Sequence, residues 1–522
     1  MKPRLLTSRF LKPRPLAPGR WAEALALAAA GAVQTTAFVV TALWWLPLLA
    51  ATLLAWRVRV SAGARHAAAL GWAYGVGWLL AATWWLFISM HRYGHLPAWL
   101  AAAAVATLAA ALSLYLALAM AAVRRWQRGT AFDVLLFAAA WLLAELARGM
   151  WFTGFPWAAS GYSQVDGPLA ALAPWVGVYG IGAALAALAA VAALDAQRAQ
   201  PARRWLWGAA LAAVAALLIA GPGEHGRAGR SFSVQLLQPN VAQDEKFAAE
   251  RMPATLEWVA QALLASRADL VVAPETAVPL LPGQLDEFAP GYWAALRQRF
   301  AQGPQAALLG VPLGDYQRGY TNSVAGLSAA TAASGAGEYR YDKHHLVPFG
   351  EFIPTGFRWF TELMQIPLGD FNRGGLRQPS FALPGGERAA PNICYEDLFG
   401  EELAQRFADP ATAPTLFVNL SNIGWFGDTI AIDQHLAISR MRALEFQRPM
   451  IRATNTGATA VIDHRGRVLA RLPSFTAAVL DGQVQGRHGL TPFARWAAAA
   501  GLWPLWGLAL AVLAAGALRR VG

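Results

Sequence analysis

Long runs of apolar residues dominate the first 221 positions of the chain, and another run follows near its end. A helix needs about 20 mainly apolar residues to cross a bilayer. Eight segments fit this description, near residues 21–38, 39–56, 66–88, 96–122, 131–148, 168–194, 204–221 and 496–518. The first two run almost together, so the boundary between them is weakly marked. The pattern predicts about eight membrane-spanning helices.

Residues 222–495 have a different pattern. Short runs rich in Val, Ile, Leu and Phe, several of which end at Pro, Asn or Gly, are typical of buried strands. These runs cover residues 233–240, 268–275, 306–313, 413–422 and 458–464. Helical stretches lie between them, at 248–266 and 431–447 for example. The sequence therefore predicts three parts: a membrane domain of seven spans at 1–221, an α/β domain at 222–495, and a final span at 496–522.

Composition supports a membrane protein, because 56% of the 522 residues are hydrophobic and only 14% are charged, whereas soluble domains carry about a quarter charged residues. The formal net charge is +12, yet residues 222–495 contain 24 of the 43 basic and 26 of the 31 acidic residues. The basic excess therefore belongs to the apolar parts. Nucleic-acid binding would need a basic face on a folded domain, so this class is excluded.

The basic residues cluster in alternate loops between the predicted spans. They are Lys2, Arg4, Arg9, Lys12, Arg14 and Arg20 before the first span, Arg57, Arg59 and Arg65 after the second, Arg124, Arg125 and Arg128 after the fourth, Arg198, Arg203 and Arg204 after the sixth, and Arg519 and Arg520 after the eighth. By the positive-inside rule, both termini are predicted to be cytoplasmic and the 222–495 domain to face outward from the membrane. The small residues of LALAAAGA at 25–32 are also compatible with a cleaved signal peptide, which would leave that domain on the same side.

Three polar residues stand at the ends of predicted strands or beside them, where α/β folds commonly place reactive groups. Glu275 ends the apolar run DLVVAPE, Lys343 lies in YDKHHLVPFGEF, and Cys394 follows APNI. Cys394 is the single cysteine of the chain, so an internal disulfide is excluded. A lone thiol is either a reactive group or a small buried hydrophobe.

These residue types fit a thiol nucleophile. A free thiol has a pKa near 8.5, so attack on an ester at neutral pH requires a base or a lowered pKa. A carboxylate such as Glu275 can take the proton, and an ammonium such as Lys343 can stabilise the thiolate and the oxyanion that follows. The backbone N–H of Tyr395 can supply a second donor to that oxyanion.

Two other arrangements are compatible with the residues. Asp397 and His435 could complete a Cys–His–acid triad with Cys394, although Glu275 and Lys343 would then have no role. His344 and His345 invite a metal interpretation, but adjacent residues on a strand point to opposite faces and no further His or Cys is suitably spaced. We therefore expect no metal and no cofactor.

Five segments carry a family resemblance. They are GFPWAASGYSQVDGPLAALAPWVGVYG at 154–180, VVAPET at 271–276, YDKHHLVPFGEFIP at 341–354, NICYED at 392–397, and NLSNIGWFGDTIAIDQHLAISRMRALEFQRPMIRATNTG at 419–457. Together and in this order, they resemble the nitrilase superfamily, and within it the membrane-embedded apolipoprotein N-acyltransferases. The resemblance covers nearly the whole chain and implies that the α/β domain is an α-β-β-α sandwich.

The resemblance also implies roles for matching residues. Glu275 would be the general base, Lys343 the stabiliser of the oxyanion and thiolate, and Cys394 the nucleophile. Supporting positions would be Glu351, Tyr395 and Glu396. Phe247 stands where the family is expected to have a tryptophan on a mobile arm near the lipid entrance, so the indole N–H is missing. Trp151 and Trp157, at the predicted outward loop, are candidates for lining that entrance.

The implied reaction has two steps. Cys394 takes an acyl group from a membrane phospholipid, by resemblance from the sn-1 ester of phosphatidylethanolamine. The amine of a diacylglyceryl-cysteine at the N-terminus of an apolipoprotein then takes it from the thioester. Both partners are lipid-anchored, and the enzyme is expected to be a monomer.

Two other functions are compatible with parts of the sequence. One is a membrane-anchored amidohydrolase or esterase that uses the same triad with water as the acceptor. The other is a transporter or receptor, which would have buried charges within several spans. The spans contain few charges, chiefly Asp133 and Glu145 near predicted ends, so this second class is disfavoured.

Overall fold

The computed structural model describes residues 18–195, 201–246, 248–334, 338–353 and 371–518. Helices occupy each of the eight apolar ranges. In chain order the helices before the α/β domain are α1 (Pro18–Val33), α2 (Leu46–Val60), α3 (Ala64–Thr83), α4 (Leu86–Ile88), α5 (Ala98–Trp126), α6 (Phe132–Met150), α7 (Ala173–Asp195) and α8 (Pro201–Ala220).

Four helical stretches among the described residues are long and apolar enough to cross a bilayer: Thr41–Val60, Ala98–Trp126, Phe132–Thr153 and Pro168–Leu194. Two bent pairs raise the number to six if each pair is one span. They are Ala64–Thr83 with Leu86–Tyr93, bent by 60°, and Pro492–Ala500 with Trp503–Leu518, bent by 85°. The described part of the chain thus has four to six segments that fit a membrane by length and composition.

Part of the charge pattern cannot be followed in the structure. Lys2, Arg4, Arg9, Lys12, Arg14, Arg198, Arg519 and Arg520 lie outside the described residues.

The described residues of the α/β domain form two six-stranded sheets, in the orders β12-β1-β2-β3-β4-β5 and β11-β10-β9-β8-β7-β6. The strands are β1 (Gly226–Gln238), β2 (Leu270–Ala273), β3 (Ala306–Asp315), β4 (Gly319–Leu327), β5 (Tyr339–Asp342), β6 (Phe381–Ala382), β7 (Arg388–Ile393), β8 (Leu416–Ser421), β9 (Met450–Thr454), β10 (Ala460–Ile462), β11 (Val468–Arg471) and β12 (Ala478–Gly489). The central strands β1-β2-β3 and β7-β8-β9 are parallel. All five predicted strands and both predicted helical stretches are confirmed.

Alternation along a strand explains why the sheets stack. On β8, Leu416, Val418 and Leu420 point into the core between the sheets, whereas Phe417 points to the other side. The helices of this domain are α9 (Met252–Ala265), α10 (Pro282–Phe288), α11 (Tyr292–Ala301), α12 (Ala329–Ala333), α13 (Gly400–Ala404) and α14 (Ala431–Phe446). Helices α9 and α11 cover the outer face of the first sheet, and α14 covers that of the second. The predicted α-β-β-α arrangement is therefore present.

Helix α14 also joins the sandwich to the membrane bundle. It is buried along nearly its whole length, and its buried polar side chains have hydrogen-bond partners on both sides. Gln434 Oε1 accepts hydrogen bonds from the indole N–H groups of Trp85 (3.1 Å) and Trp157 (2.8 Å). Glu445 Oε1 accepts one from the Val178 N–H at 2.7 Å. The two parts share one hydrophobic core, and α15 (Pro492–Ala500) and α16 (Trp503–Leu518) close the bundle.

Candidate active site

The three residues singled out in the sequence follow three strands at one edge of the sandwich. Glu275 lies two residues beyond β2, Lys343 follows β5 directly, and Cys394 follows β7. Because β2 and β5 belong to one sheet and β7 to the other, the stacking of the sheets brings these groups together. Each of the three interacts electrostatically with the other two.

Cys394 has a strained backbone. Its φ of 51° lies in the left-handed region, which is uncommon for a residue with a side chain. The Cys394 carbonyl is held by the amide of Asn419 and by His435 Nε2, each at 3.2 Å. Such conformations persist where surrounding contacts fix them, and they are frequent at reactive sites. The sharp turn places the thiol at the junction of a strand and a short helix.

A buried network of two carboxylates surrounds Lys343. Its Nζ lies 2.9 Å from Glu351 Oε1 and 3.4 Å from Glu275 Oε1. The side-chain amide of Asn322 donates to the same two oxygens, at 2.7 and 2.8 Å. Burial alone would lower the pKa of Lys343, but the carboxylates of Glu351 and Glu275 outweigh it and hold that pKa above its ordinary range. The side chain is therefore a fixed ammonium.

The thiol of Cys394 is neutral in this environment. Burial, and after it the charge of Glu275, raise the pKa of Cys394 to about 12, against the opposing effect of Lys343. A hydrogen bond with Ser421 also opposes the rise. A thiol in this state is not a preformed thiolate, so it would need a base to remove its proton before it could act as a nucleophile. The Glu275 side chain is a candidate for that base, and its second oxygen accepts the Asn422 N–H at 2.8 Å.

Glu396 ties the lysine segment to the cysteine turn. One carboxylate oxygen accepts the backbone N–H groups of His344 (2.7 Å) and His345 (3.1 Å), and the other accepts the Ile393 N–H (2.7 Å) and the Tyr341 hydroxyl (2.8 Å). The four bonds join the segment after β5 to the end of β7. Glu396 therefore fixes the ammonium relative to the sulfur without facing the reaction itself.

Replacing Glu396 with Gln is expected to slow acylation of Cys394 about tenfold and to lower the unfolding temperature. The new amide N–H₂ would meet backbone donors, and a buried donor without a partner costs about 1–3 kcal/mol. The rate is measured by intact-protein mass spectrometry after mixing with phospholipid. Glu402→Gln is the matched control, since the Glu402 carboxylate contacts the His345 ring (2.9 Å) and accepts no backbone N–H from the lysine segment or the cysteine turn among the described residues. Equal effects of the two variants would contradict the positioning role.

Tyr395 connects the cysteine turn to the bundle. Its hydroxyl donates to the Gly154 carbonyl at 3.2 Å. Gly154 has φ of 82°, and a Cβ there would lie 2.0 Å from the Gly149 carbonyl oxygen. Only glycine fits this close approach, so the loop after α6 can reach the cysteine turn.

The tryptophans proposed to line a lipid entrance lie in different surroundings. The Trp157 ring is buried between Trp85 (4.8 Å) and His435 (5.7 Å), in the junction of bundle and sandwich rather than at an open surface. Trp151 is 53% exposed and stacks on Trp506, so a lipid-facing role for it stays a prediction. Phe247 lies outside the described residues.

The alternative Cys–His–acid triad has unsuitable geometry. His435 Nε2 lies 2.9 Å from Asp397 Oδ1 and approaches the carbonyl of Cys394 rather than its sulfur. A guanidinium N–H of Arg452 points at His435 Nδ1 (3.1 Å), which must accept. The ring then carries its proton on Nε2 and has no lone pair free for the thiol. The Asp397–His435 pair supports the turn.

The rings of His344 and His345, considered above as metal ligands, both contact other protein groups. His344 Nδ1 contacts the Gly374 carbonyl at 2.8 Å. The His345 ring stacks on Phe399.

Three further residues around Glu275 escaped the sequence analysis. Asn322 and Asn422 bind its two oxygens, and Lys246 Nζ donates to its backbone carbonyl at 3.0 Å. Burial lowers the pKa of Lys246 to about 8, although the charges of Glu275 and Cys394 oppose this. The one signal in the sequence is that Asn422 directly follows an apolar strand, whereas Asn322 stands between Thr321 and Ser323 in a polar part of β4.

The two stacked sheets and their covering helices define an α/β sandwich, and comparisons with known proteins assign this sandwich to the carbon-nitrogen hydrolase class. Residues 233–492 match the carbon-nitrogen hydrolase family, and residues 30–191 match the N-terminal domain of the apolipoprotein N-acyltransferases. The chain belongs to the apolipoprotein N-acyltransferase family, in which this hydrolase-like sandwich is combined with a membrane domain.

The similarity to individual relatives extends over nearly the whole chain. The apolipoprotein N-acyltransferase of Verminephrobacter eiseniae is 57% identical over 488 residues, covering 88% of this chain and 89% of the relative. That of Ralstonia nicotianae is 47% identical over 515 residues, covering 97% and 95%. Among solved structures, a carbon-nitrogen hydrolase superfamily protein of Xanthomonas campestris is 18% identical with a TM-score of 0.37, covering 52% of this chain and 96% of that protein.

Proposed function

We propose that the chain transfers a fatty acyl group from a membrane phospholipid to the N-terminal amine of an S-diacylglyceryl-cysteine on an apolipoprotein, through a thioester on Cys394. Family membership makes the chain an N-acyltransferase. The observation that carries the mechanism is the buried contact of Lys343 with Glu275 and Glu351 beside the single thiol.

In the first step the Glu275 carboxylate takes the thiol proton while the sulfur attacks the ester carbonyl carbon. The oxyanion that develops is stabilised by the Lys343 ammonium and the Tyr395 N–H. The ester C–O bond then breaks, and Glu275 returns the proton to the departing oxygen. The products are an acyl-thioester and a lysophospholipid. By family resemblance, the donor is the sn-1 ester of phosphatidylethanolamine.

In the second step the amine of the lipid-anchored peptide attacks the thioester carbonyl. Glu275 accepts a proton from the attacking nitrogen, the C–S bond breaks, and the sulfur is reprotonated. The same lysine stabilises the second oxyanion. Burial of the site supports this order, because water must be kept from the thioester until the amine arrives.

The proposal includes the arrangement in the membrane. We expect about eight spans, with the membrane domain at 1–221, the catalytic domain at 222–495 and a last span at 496–522. Both termini would be cytoplasmic and the catalytic domain periplasmic, on a monomer in the bacterial inner membrane. The alternation of basic loops supports this orientation. Both substrates could then enter sideways from the outer leaflet.

Purified full-length protein is expected to form an N-acylated peptide when it receives both phospholipid and a diacylglyceryl-cysteinyl peptide. With phospholipid alone it should stop at the acyl-enzyme and one equivalent of lysophospholipid. Mass spectrometry of protein, lipid and peptide measures each product. Continuous release of free fatty acid, with the peptide left unmodified, would instead support the amidohydrolase or esterase alternative.

A further inference from the structure

A cavity lies far from the thiol of Cys394, at the opposite end of the second sheet. It has a volume of about 610 Å³ and is lined at the starts of β7 and β8, the start of β1 and the end of β12. Arg388, in its wall, is the first residue of β7, and Cys394 follows the last. Six strand residues at about 3.3 Å each put the cavity about 20 Å from the sulfur.

The wall of this cavity is strongly basic. It contains the arginines Arg227, Arg388, Arg448 and Arg487, together with His225 and His488. The acidic residue in the wall is Glu224, which is already bound by Arg465 and Arg487. Although burial opposes it, hydrogen bonds from Arg465 and His464 and the charge of Arg487 lower the pKa of Glu224 to about 2. The cavity thus keeps an excess of positive charge.

Two of these arginines are buried and, among the described residues, incompletely partnered: one lacks an ion pair and the other has an N–H group without an acceptor. Arg448 is 1% exposed and donates to the carbonyls of Pro414, Phe446, Gln447 and Gly489, and within the described ranges it forms no ion pair. Arg487 is 8% exposed, and its Nε–H finds no acceptor among the residues that the structure covers. A buried guanidinium without a carboxylate partner, such as that of Arg448, and a buried N–H without an acceptor, such as the Nε–H of Arg487, are both costly, so an anion in the cavity would stabilise them.

The cavity lies where the sandwich joins the apolar helices. Helix α8 ends at Ala220, four residues before Glu224, and α15 begins at Pro492, just after Leu490 in the wall. Helix α16 is bent by 85° from α15, so α15 runs along the membrane surface if α16 crosses the bilayer. Trp175, which is 52% exposed, packs edge-on against the His225 ring at 5.0 Å. Exposed tryptophans are typical of the headgroup level.

We infer that this cavity binds a phosphate-bearing anion, and its position favours the headgroup of a membrane phospholipid. The site is separate from donor binding, because about 20 Å is too far for one glycerophosphate to reach both the cavity and the thiol. A phosphate held by Arg448 and Arg487 would fasten the sandwich to the lipid surface beside its two connections to the membrane helices.

The test uses full-length protein in detergent, titrated with phosphatidylglycerol and followed by native mass spectrometry. The double variant Arg227→Gln with Arg388→Gln removes two wall charges while leaving the buried pair in place. We expect it to bind the lipid at least about tenfold more weakly than the unaltered protein, since each charged hydrogen bond to phosphate contributes roughly a factor of ten or more. The control is Arg267→Gln with Arg318→Gln, which removes the same charge from exposed positions remote from the cavity.

Parallel titrations with glycerol 3-phosphate and inorganic phosphate distinguish the sources of the phosphate. Lipid binding that is weaker in the wall variant, but unchanged in the control variant, supports a headgroup site. Binding of the soluble phosphates with the same sensitivity, but not of lipid, supports a site for a free phosphate compound. Equal binding by the wall variant, the control and the unaltered protein would overturn the inference, provided all three unfold at similar temperatures.

Discussion

Cys394→Ala is expected to abolish acyl transfer, with a loss of at least about 10⁴-fold in rate, because the atom that carries the acyl group is removed. Intact-protein mass spectrometry should show no acyl adduct on the variant after incubation with phospholipid. The diacylglyceryl peptide should stay unmodified. Alanine meets the same backbone strain at φ 51° as cysteine does, so the fold is expected to survive.

The control for this variant is its unfolding temperature, compared with that of the unaltered protein. A difference of a few degrees leaves the fold intact and assigns the lost activity to the sulfur. Radiolabelled transfer by Cys394→Ala at a measurable rate would refute the thioester. The reaction would then have to proceed by direct attack of the amine on the phospholipid ester.

Glu275→Gln is expected to slow acylation of Cys394 by roughly 10²–10⁴-fold, the usual contribution of a general base. The same change should lower the pKa of the thiol, because the negative charge of Glu275 is one of the causes that raise it. At a fixed pH the variant would hold more thiolate than the unaltered protein. Alkylation of Cys394 by iodoacetamide should therefore become faster while its acylation becomes slower. Both changes are measured by recording the two rates as a function of pH.

Glu351→Gln is the matched control. Glu351 shares Lys343 with Glu275, and its charge also raises the pKa of Cys394. The Glu351→Gln variant should also be alkylated faster than the unaltered protein, but its rate of acylation should fall less than that of Glu275→Gln, because the base is still present. If both variants lose acylation equally, Glu275 acts through its charge and its hold on Lys343, and another group must be the base.

The sequence predicts well the features that depend on a short stretch of neighbouring residues. The strand β8 could be located because Leu416, Val418 and Leu420 alternate with residues of the other face, in a run bounded by turn residues. Strand β12 was missed, because Asp481, Gln483 and Gln485 interrupt its apolar pattern on an edge of the sheet. The predicted number of about eight spans is not confirmed, because the described residues contain four long apolar helices and two sharply bent helix pairs.

The contacts around the reactive residues could not be predicted locally. Asn322 and Asn422 reach Glu275 from 47 and 147 positions away. In the sequence each is an ordinary polar residue in or beside a strand. Trp157 illustrates the opposite difficulty, because a tryptophan in a loop near a membrane fits an interfacial anchor as well as a buried ring. Only the partner across the junction, Gln434, distinguishes the two.

The docking of α14 against the bundle means that the catalytic domain is not a detachable module. The helix is buried between the second sheet and the bundle, and its Gln434 and Glu445 accept hydrogen bonds from bundle residues. A fragment cut at residue 222 would present that surface to solvent and should aggregate. We therefore expect that the α/β domain folds stably only when the membrane bundle is present.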